Sequence, residues 1–423
     1  MTHRHDNPGR MTRRAVLAAM AGGVTTLVGC GGGAGGDEAG GGGITAGPVE
    51  ARSATGASIA GISSGGTGSY AEGSVTGLGS IIVRGIRYDD RAATIERDDD
   101  GIVGILRPGM VVSVSGSSIA PALDADGLPV ATAIRIRYGS EWVGKVDAVD
   151  TVNRTLTVLG QGIDVAANAV FDGDVLQLSA VTTSHYVEAH GFLDLSTGRL
   201  LATRLEVSTT APSAFRLSGQ VNGLDAAART FAVGTAQIAY DAALVLPDGW
   251  ANGQMLRVTL ATSPDGSTWQ ATRIRQRESS LPGLEVQDRS DAQVEGTVTS
   301  IGAANTFTVN GVAIDATGVP IVGTLLLGAT VQVGGTAVDG VIAANWVEVK
   351  PRAEVEAQDF QFLGEVSNLD ILARTFTVKG VDFAYDLSTR IDVLGWVIGA
   401  TPLVRVKATQ VNGVWVASRI KQR

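Results

Sequence analysis

The fold is indicated most clearly by the stretch Thr306-Phe307-Thr308-Val309-Asn310-Gly311-Val312-Ala313-Ile314. Polar and apolar residues alternate before the Asn-Gly pair, as they do in a strand with one buried face. Asn-Gly favours a type I′ turn, because both central residues of that turn need a positive φ. The apolar residues after the turn predict a returning strand. The stretch is therefore expected to form a β-hairpin.

The first part of this stretch, Thr-Phe-Thr-Val, recurs in similar form at residues 80–83, 155–158, 230–233 and 375–378, each time after the motif Gly-x-Val. The Gly-x-Val copies begin at Gly73, Gly144, Gly219, Gly296 and Gly364. A closing segment of the type Ala-Thr-Arg-Leu follows, as at residues 202–205 and 271–274. Three marks in fixed order, about 70 residues apart, indicate tandem copies of one small domain.

Each copy is expected to contain five short strands. In the fourth copy the strands are expected at 294–298, 306–309, 312–314, 330–334 and 345–349. The spacing of apolar residues indicates strands and no convincing helix. The predicted fold is all-β, with five tandem small five-stranded barrels. The oligonucleotide/oligosaccharide-binding (OB) barrel is the nearest architecture, and an SH3-like barrel is the second candidate.

The chain divides into seven predicted segments. They are a signal peptide at 1–29, a lipidated Cys and flexible tether at 30–70, and β-repeats at 71–139, 140–209, 213–278, 292–350 and 359–423. The tether is Gly-rich and buries too little apolar surface to offset the entropy cost of ordering. About 39 residues of such a coil would reach about 30–40 Å.

The N-terminal segment predicts export and lipid anchoring. Arg13 and Arg14 precede an apolar run that is too short to span a bilayer as a helix, which indicates a secretory signal peptide. Leu-Val-Gly directly before Cys30, the single Cys of the chain, resembles the bacterial lipobox. By this resemblance Cys30 would be cleaved to become the first residue and would carry acyl chains such as palmitate. Several acyl chains anchor a protein stably, whereas one binds marginally. A secreted protein with a chance Cys is the alternative.

The export route and the final membrane are expected from the same segment. The Arg13-Arg14 pair also resembles the twin-arginine motif, and a general-secretion signal that contains two Arg is equally consistent. Gly31 follows Cys30, where lipoproteins retained at the inner membrane carry Asp. The expected location is therefore the outer membrane, on its periplasmic or surface face.

Charge and cysteine content exclude some classes of function. The net charge of the chain is −9, with 33 Lys and Arg against 42 Asp and Glu. Nucleic-acid binding relies on clustered Lys and Arg that neutralise phosphates, so no nucleic-acid partner is expected. A single Cys excludes a disulfide within the chain and a Cys-rich zinc site. No cofactor is expected.

Few residues could hold a metal. His185 and His190 are separated by an odd number of positions on a strand, so they should lie on opposite faces as single surface histidines. Asp124 and Asp126 are weak metal candidates, because they resemble the opening of a calcium loop but lack its later ligands. Asp-Gly is also what an ordinary β-turn favours. No metal site is therefore assigned.

Two aromatic pairs are possible ligand-binding residues. Trp269 with Arg273, and Trp415 with Arg419, are expected on the outward face of the closing strands of the third and fifth repeats. An aromatic ring and an Arg together could stack on a sugar ring or on a partner's side chain. The alternative is that each Trp packs against a neighbouring strand end or the adjacent repeat.

Alternation also predicts the faces of individual strand residues. In the second repeat the inward positions of the closing strand are expected to be Leu201, Thr203, Leu205 and Val207, with Ala202, Arg204 and Glu206 outward. The Gly of Gly-x-Val is expected at a sharp bend or at a close approach of backbones.

The lipobox, the Gly-rich tether and the repeated Gly-x-Val, Thr-Phe-Thr-Val and Ala-Thr-Arg-Ile segments resemble a bacterial family, domain of unknown function 5666. The resemblance covers about residues 71–423 and is expected to be closest in the first three repeats. It implies an envelope lipoprotein of small β-barrel repeats and brings no catalytic residues. We expect a non-enzymatic lipoprotein that presents its barrels to a glycan or an envelope protein. The alternatives are a structural spacer without a ligand and a hydrolase with a site between repeats.

Overall fold

The computed structural model describes residues 69–97, 104–120, 122–276, 289–309, 312–350 and 359–423. These residues form five groups of strands. Barrel 1 contains β1 (Ser69–Leu78), β2 (Ile81–Val83), β3 (Ile86–Asp89), β4 (Thr94–Arg97), β5 (Val111–Gly116) and β6 (Val130–Tyr138). Barrel 2 contains β7 (Trp142–Asp150), β8 (Thr155–Val158), β9 (Gln161–Gly173), a 3-10 turn (Leu178–Ala180), β10 (Tyr186–Asp194) and β11 (Arg199–Ser208).

Barrel 3 contains β12 (Phe215–Asp225), β13 (Thr230–Val233), β14 (Ala236–Tyr240), β15 (Met255–Leu260) and β16 (Thr268–Gln276). Barrel 4 contains β17 (Arg289–Ile301), β18 (Thr306–Val309), β19 (Val312–Asp315), β20 (Ile321–Val322), β21 (Thr330–Val338) and β22 (Val341–Val349). Barrel 5 contains β23 (Phe360–Asp370), β24 (Thr375–Val378), β25 (Val381–Ala384), β26 (Arg390–Asp392), β27 (Leu403–Val411) and β28 (Val414–Gln422).

The strands of each group close into a small barrel. In barrel 3, β12 pairs with β13 and β13 with β14 in antiparallel fashion, and β14 then pairs in parallel with β16. Antiparallel pairing of β16 with β15 and of β15 with β12 completes the circle. This order, with parallel pairing between the third and fifth strands, is that of an OB barrel. The predicted all-β, OB-like fold is confirmed.

The repeats are not identical copies. Barrels 1, 4 and 5 each carry an additional short strand, β4, β20 or β26, which pairs in parallel with the closing strand. Barrel 2 instead has an extended third strand of 13 residues, β9, that pairs with β11 on both sides of an irregularity. Within the described residues, no helix is long and apolar enough to cross a membrane.

The Gly-x-Val motif has a structural role at the mouth of the barrel. The Val exchanges backbone hydrogen bonds with the residues that precede the fourth strand. Val298, for example, donates to Ala329 O (2.9 Å) and accepts from Gly328 N (2.9 Å). A Cβ on the motif's Gly219 would lie 2.5 Å from Val233 Cγ1. The missing side chain of Gly219 therefore leaves room for a side chain of the second strand. Of the two roles that the sequence predicted for this Gly, the close approach of a neighbouring backbone is not seen here.

The barrels do not pack in chain order. β1 of barrel 1 pairs in parallel with β17 of barrel 4 and with β23 of barrel 5. Barrel 2 contacts barrel 5, because the Gln410 side chain donates to Phe171 O (2.9 Å) and accepts from Phe171 N (2.7 Å). Barrels 2 and 3 share one core, in which Trp142 Nε1 donates to Ser218 O (2.9 Å). Barrel 2 also contacts barrel 1, where Thr203 Oγ1 donates to Gly109 O (2.7 Å).

Candidate functional site

A β-bulge interrupts the closing strand of each barrel, at the Ala-Thr-Arg segment in barrels 2 and 3 and at the corresponding residues in the other three. In barrel 2, His190 pairs with Arg204 and Gly191 with Ala202, so Thr203 is the extra residue. A bulge reverses the alternation of faces beyond it. Leu205 and Val207 are in the core as predicted, but Leu200 and Ala202 replace Leu201 and Thr203 as inward residues. The prediction for Leu201, Thr203 and Ala202 was wrong for this reason.

The bulge in the closing strand also separates Trp269 from Arg273 in barrel 3. Trp269 packs at 5.8 Å, edge to face, on Phe215 of the core that barrels 2 and 3 share. Arg273 lies beyond the irregularity and is exposed. The two residues therefore do not share the outward face that the sequence predicted.

The pair in barrel 5 is separated in the same way. Trp415 is buried, with ring centroids 5.0 Å from Phe362 and 5.2 Å from Phe360. Arg419 lies on the other side of the bulge and pairs with Asp392, with Nη2 to Oδ2 at 2.9 Å. The geometry agrees with the packing alternative for both Trp residues, and the pairs form no stacking surface.

Asp124 and Asp126 lie in an ion-pair network between barrels 1 and 5. Arg87 Nε donates to Asp124 Oδ2 (2.7 Å), and Arg405 and Arg423 pair with Asp126. Burial opposes ionisation of Asp124, but hydrogen bonds from the Leu128 backbone and from Arg87 outweigh it and lower the pKa of that carboxyl. The carboxylates are directed toward guanidinium groups, so this turn joins two barrels and does not form an open cation site.

The two histidines have different environments. His185 Nδ1 accepts a hydrogen bond from Thr182 N (2.9 Å) in a loop of barrel 2. His190 is fully buried, with Nε2 3.8 Å from Glu188 Oε1, whereas the sequence predicted a surface position. Burial lowers the pKa of His190, although Glu188 and Glu206 partly oppose this effect. Across the described residues, His, Cys, Asp and Glu side chains form no group of three that could hold a metal.

A cleft of about 230 Å³ lies between barrels 2 and 4 and is the best candidate for a ligand site. Its lining residues are Asp164, Phe192, Asp194, Arg199 and Leu201 from barrel 2, and Thr297, Gly328, Ala329, Thr330 and Lys350 from barrel 4. Asp194 and Arg199 face each other across β10 and β11, and Leu201 is next to Asp164 across β11 and β9. The bulge turns Leu201 outward, and this residue therefore lines the cleft.

The charges that surround the cleft are largely paired. Arg199 donates to Asp164 Oδ1 from Nε (3.0 Å) and Nη2 (2.6 Å). Lys350 Nζ is 2.6 Å from Glu348 Oε2. Asp194 Oδ1 accepts hydrogen bonds from the backbone and hydroxyl of Ser196 (2.8 and 2.6 Å). The cleft therefore presents several donors and acceptors with little excess charge.

Sequence reasoning did not identify the cleft. Its two walls come from residues 164–201 and 297–350, which are far apart in the chain, and no motif connects them. Gly328 shows how closely the walls approach, since a Cβ there would collide with the side chains of Asp194 and Ser196. The export and lipidation candidates, Arg13, Arg14 and Cys30, lie outside the described residues.

Comparisons with known proteins agree with the repeat architecture. The family model described as "Domain of unknown function (DUF5666)" matches residues 143–206, 295–348 and 364–421. These segments lie in barrels 2, 4 and 5, whereas the resemblance was expected to be closest in the first three repeats. Three segments of the chain thus match the model of this family, which is consistent with tandem repeats of that domain.

The remaining comparisons are less informative. A comparison with curated proteins finds no match. One similar solved structure is described as "drosophila Unr CSD456", at 13% identity, and the similarity covers 49% of this chain and 96% of that chain. Its TM-score is 0.12, which carries no argument about this protein.

Proposed function

We propose that this protein, three of whose repeats match the domain of unknown function family 5666, is a non-enzymatic lipoprotein of the bacterial cell envelope that binds a glycan. Cys30 is the lipid-anchored residue in this proposal, and the outer membrane is the expected location. The cleft between barrels 2 and 4 is the glycan site. The observation that carries the proposal is the mixed lining of this cleft, which combines apolar Phe192 and Leu201 with polar groups whose charges are paired within the protein.

A sugar fits this lining better than a charged ligand does. Sugar hydroxyls both donate and accept hydrogen bonds, and a few placed polar groups are enough to orient a small ligand in a pocket. Arg199 and Lys350 can donate, and the carboxylates of Asp164 and Asp194 can accept. The volume of about 230 Å³ suits one sugar unit, such as the end of a longer glycan.

The two alternative functions have less support. A spacer gains reach from barrels that follow one another in a line, but here β1 pairs with barrels 4 and 5 and the chain folds back on itself. A hydrolase that used this cleft would have to take its acid and base from the carboxyl groups that line it, because no His or Cys among the described residues does. The Asp164 carboxylate accepts hydrogen bonds from Arg199, and the Asp194 carboxylate accepts them from its own loop.

The test is glycan binding by the full processed chain. Immobilised envelope polysaccharide fractions should retain the protein, and Arg199→Met and Lys350→Met should each weaken retention by about tenfold, which corresponds to about 1.4 kcal/mol. Lys145→Met is the matched control, because Lys145 is an exposed cation of barrel 2 on β7, outside the set that lines the cleft. Retention that is unchanged in both cleft variants, or no retention by any fraction, would exclude this cleft as a glycan site and favour a spacer.

Acylation is tested separately. Mass spectrometry of the processed N-terminal peptide should show acyl chains on Cys30. An unmodified Cys30 in the mature protein would exclude the lipid anchor.

A further inference from the structure

One end of barrel 5 carries an unusual set of exposed aliphatic side chains. These residues, called the apolar end below, are Leu372, Leu387, Leu394, Val397 and Ile398. Leu372 is 94% exposed, and Leu387 and Leu394 are 89% and 87% exposed. Isolated surface hydrophobic residues are ordinary, but a group of them at one site marks an interaction surface.

Strand topology brings the five residues to the same end. Leu372 lies in the turn between β23 and β24, and the other four lie between β25 and β27. Because β24 is antiparallel to both β23 and β25, the end of β23, the start of β24 and the end of β25 meet at one mouth of the barrel. Tyr385 N donates to Arg374 O (3.0 Å) and joins the two loops directly.

Trp396 orients the longer loop. Its ring packs edge to face on Phe376 (5.3 Å) and Tyr385 (6.0 Å), and so closes the mouth of the barrel. Leu394, Val397 and Ile398 flank this ring in sequence and are exposed to solvent. The interior is thus closed by Trp396 without help from the aliphatic side chains outside it.

Barrel 3 shows that the fold does not need these side chains. Trp250 closes the mouth of barrel 3 on Phe231 (5.2 Å) and Tyr240 (5.7 Å), as Trp396 does in barrel 5. The positions that correspond to Leu372, Leu387, Leu394, Val397 and Ile398 are occupied there by Ala227, Ala242, Asp248, Ala251 and Asn252. All five are exposed. The aliphatic residues of barrel 5 therefore serve something other than folding.

The carboxylates of Asp370 and Asp386 at this end accept hydrogen bonds from their own loops. Asp370 Oδ1 accepts hydrogen bonds from the backbone of Leu372 (2.9 Å) and Ala373 (2.8 Å). Asp386 Oδ1 accepts from the backbone and hydroxyl of Ser388 (2.8 and 2.6 Å). These carboxylates turn back into their own loops, and the exposed Arg374 lies in the same turn as Leu372.

We propose that the apolar end of barrel 5 inserts into a lipid bilayer and gives the protein a second membrane contact beside its N-terminal anchor. This inference rests on the proposed lipid anchor. The chain between Cys30 and Ser69 is 38 residues long and, with its Gly-rich composition, would reach about 30–40 Å as a coil. The barrels are therefore within reach of the membrane surface, and a weak contact adds usefully to an existing anchor.

A bilayer matches the chemistry of this surface better than a protein does. Protein interfaces draw most of their binding energy from Trp, Tyr and Arg seated in complementary pockets. The apolar end consists of Leu, Val and Ile alone, on loops between strands. Hydrocarbon accepts such side chains without a complementary shape.

The test uses residues 30–423 produced without the signal peptide and with Cys30→Ser, so that no acyl chain contributes, and vesicles of phosphatidylethanolamine and phosphatidylglycerol. The chain should sediment with the vesicles, and added salt should not release it, because the contact is apolar. Installing the residues of barrel 3 (Leu372→Ala, Leu387→Ala, Leu394→Asp, Val397→Ala and Ile398→Asn) should reduce binding by about tenfold or more. Matched controls are Val152→Asp and Val245→Asp, which change equally exposed side chains on barrels 2 and 3 and should leave binding unchanged.

Quenching gives a second readout. Brominated acyl chains should quench the fluorescence of Trp396, and Trp396→Phe should remove that quenching. Equal vesicle binding by the five-residue variant, or no binding by the parent chain, would overturn the proposal. So would a concentration-dependent dimer that the five-residue variant converts to a monomer, because the surface would then join two copies of this chain. Acylation of Cys30 is measured independently, so failure of the anchor and failure of this contact give different results.

Discussion

The close approach between Gly219 and Val233 gives a quantitative prediction about the repeated motif. A methyl group on Gly219 would lie 2.5 Å from Val233 Cγ1, and the next atom is 3.9 Å away. One side chain therefore accounts for nearly all of the crowding. Overpacking of this kind costs about 1–3 kcal/mol. Gly219→Ala should destabilise barrel 3 by about that amount, and Gly219→Val should cost more.

A double-mutant cycle isolates the contact. Val233→Ala alone removes two buried methyl groups, worth about 1.6 kcal/mol in transfer free energy, with an additional cost for the cavity. In the double variant the methyl group introduced by Gly219→Ala takes up part of the vacated space, so the free energy of unfolding of that variant should exceed the additive value by about 1–2 kcal/mol.

Amide exchange of β15 is the suitable assay. The chain has several barrels and need not unfold in one step, whereas exchange reports the stability of the barrel to which an amide belongs. The amides of Val258 and Leu260, which are in the core of barrel 3, should exchange faster in each single variant. Strict additivity of the two single changes would refute the steric account of Gly-x-Val.

Three further predictions concern contacts within and between barrels. The pKa of His190 is lowered in the folded chain, so the unfolded chain binds the proton first as the pH falls. Barrel 2 should therefore lose stability as the pH falls below about 6.5. In pH-dependent melts, His190→Gln should reduce this loss of stability. Arg84 and Glu295 form a buried ion pair between barrels 1 and 4 (3.0 Å). In urea titrations, Arg84→Met should therefore lower the free energy of unfolding by about 3–5 kcal/mol, because the charge of Glu295 is left buried and without its partner. Adding Glu295→Leu should recover part of the lost stability. Gln410→Ala removes two hydrogen bonds to the Phe171 backbone, and it should cost about 1–3 kcal/mol and speed exchange of the Phe171 amide. The first prediction would be contradicted by melts of His190→Gln that are as pH-dependent as those of the parent chain. The second would be contradicted if adding Glu295→Leu recovered no stability, and the third if exchange of the Phe171 amide were unchanged.

The sequence predicted only some features of the candidate ligand-binding residues. Residue type and spacing identified Trp269 and Trp415 as notable, but the bulge in the closing strand separated each from its Arg partner. A bulge adds one residue to one strand of a pair, and alternation in a single strand carries no sign of it. A possible signal is Gly191 on the partner strand, since a Cβ there would meet the carbonyl of Leu201.

Local patterns in the sequence by themselves determined the strands, the hairpins, the recurrence of one small domain and its closure into OB-like barrels. These features follow from alternation and turn chemistry among residues that are close in the chain, so a single sequence carries them. Only the tertiary structure decided which barrels touch, why His190 is buried and where the cleft lies. Phe171 and Gln410, which join barrels 2 and 5, are 239 positions apart. Contacts at such separation depend on the shapes and charges of folded surfaces, and these surfaces exist only after each barrel has formed.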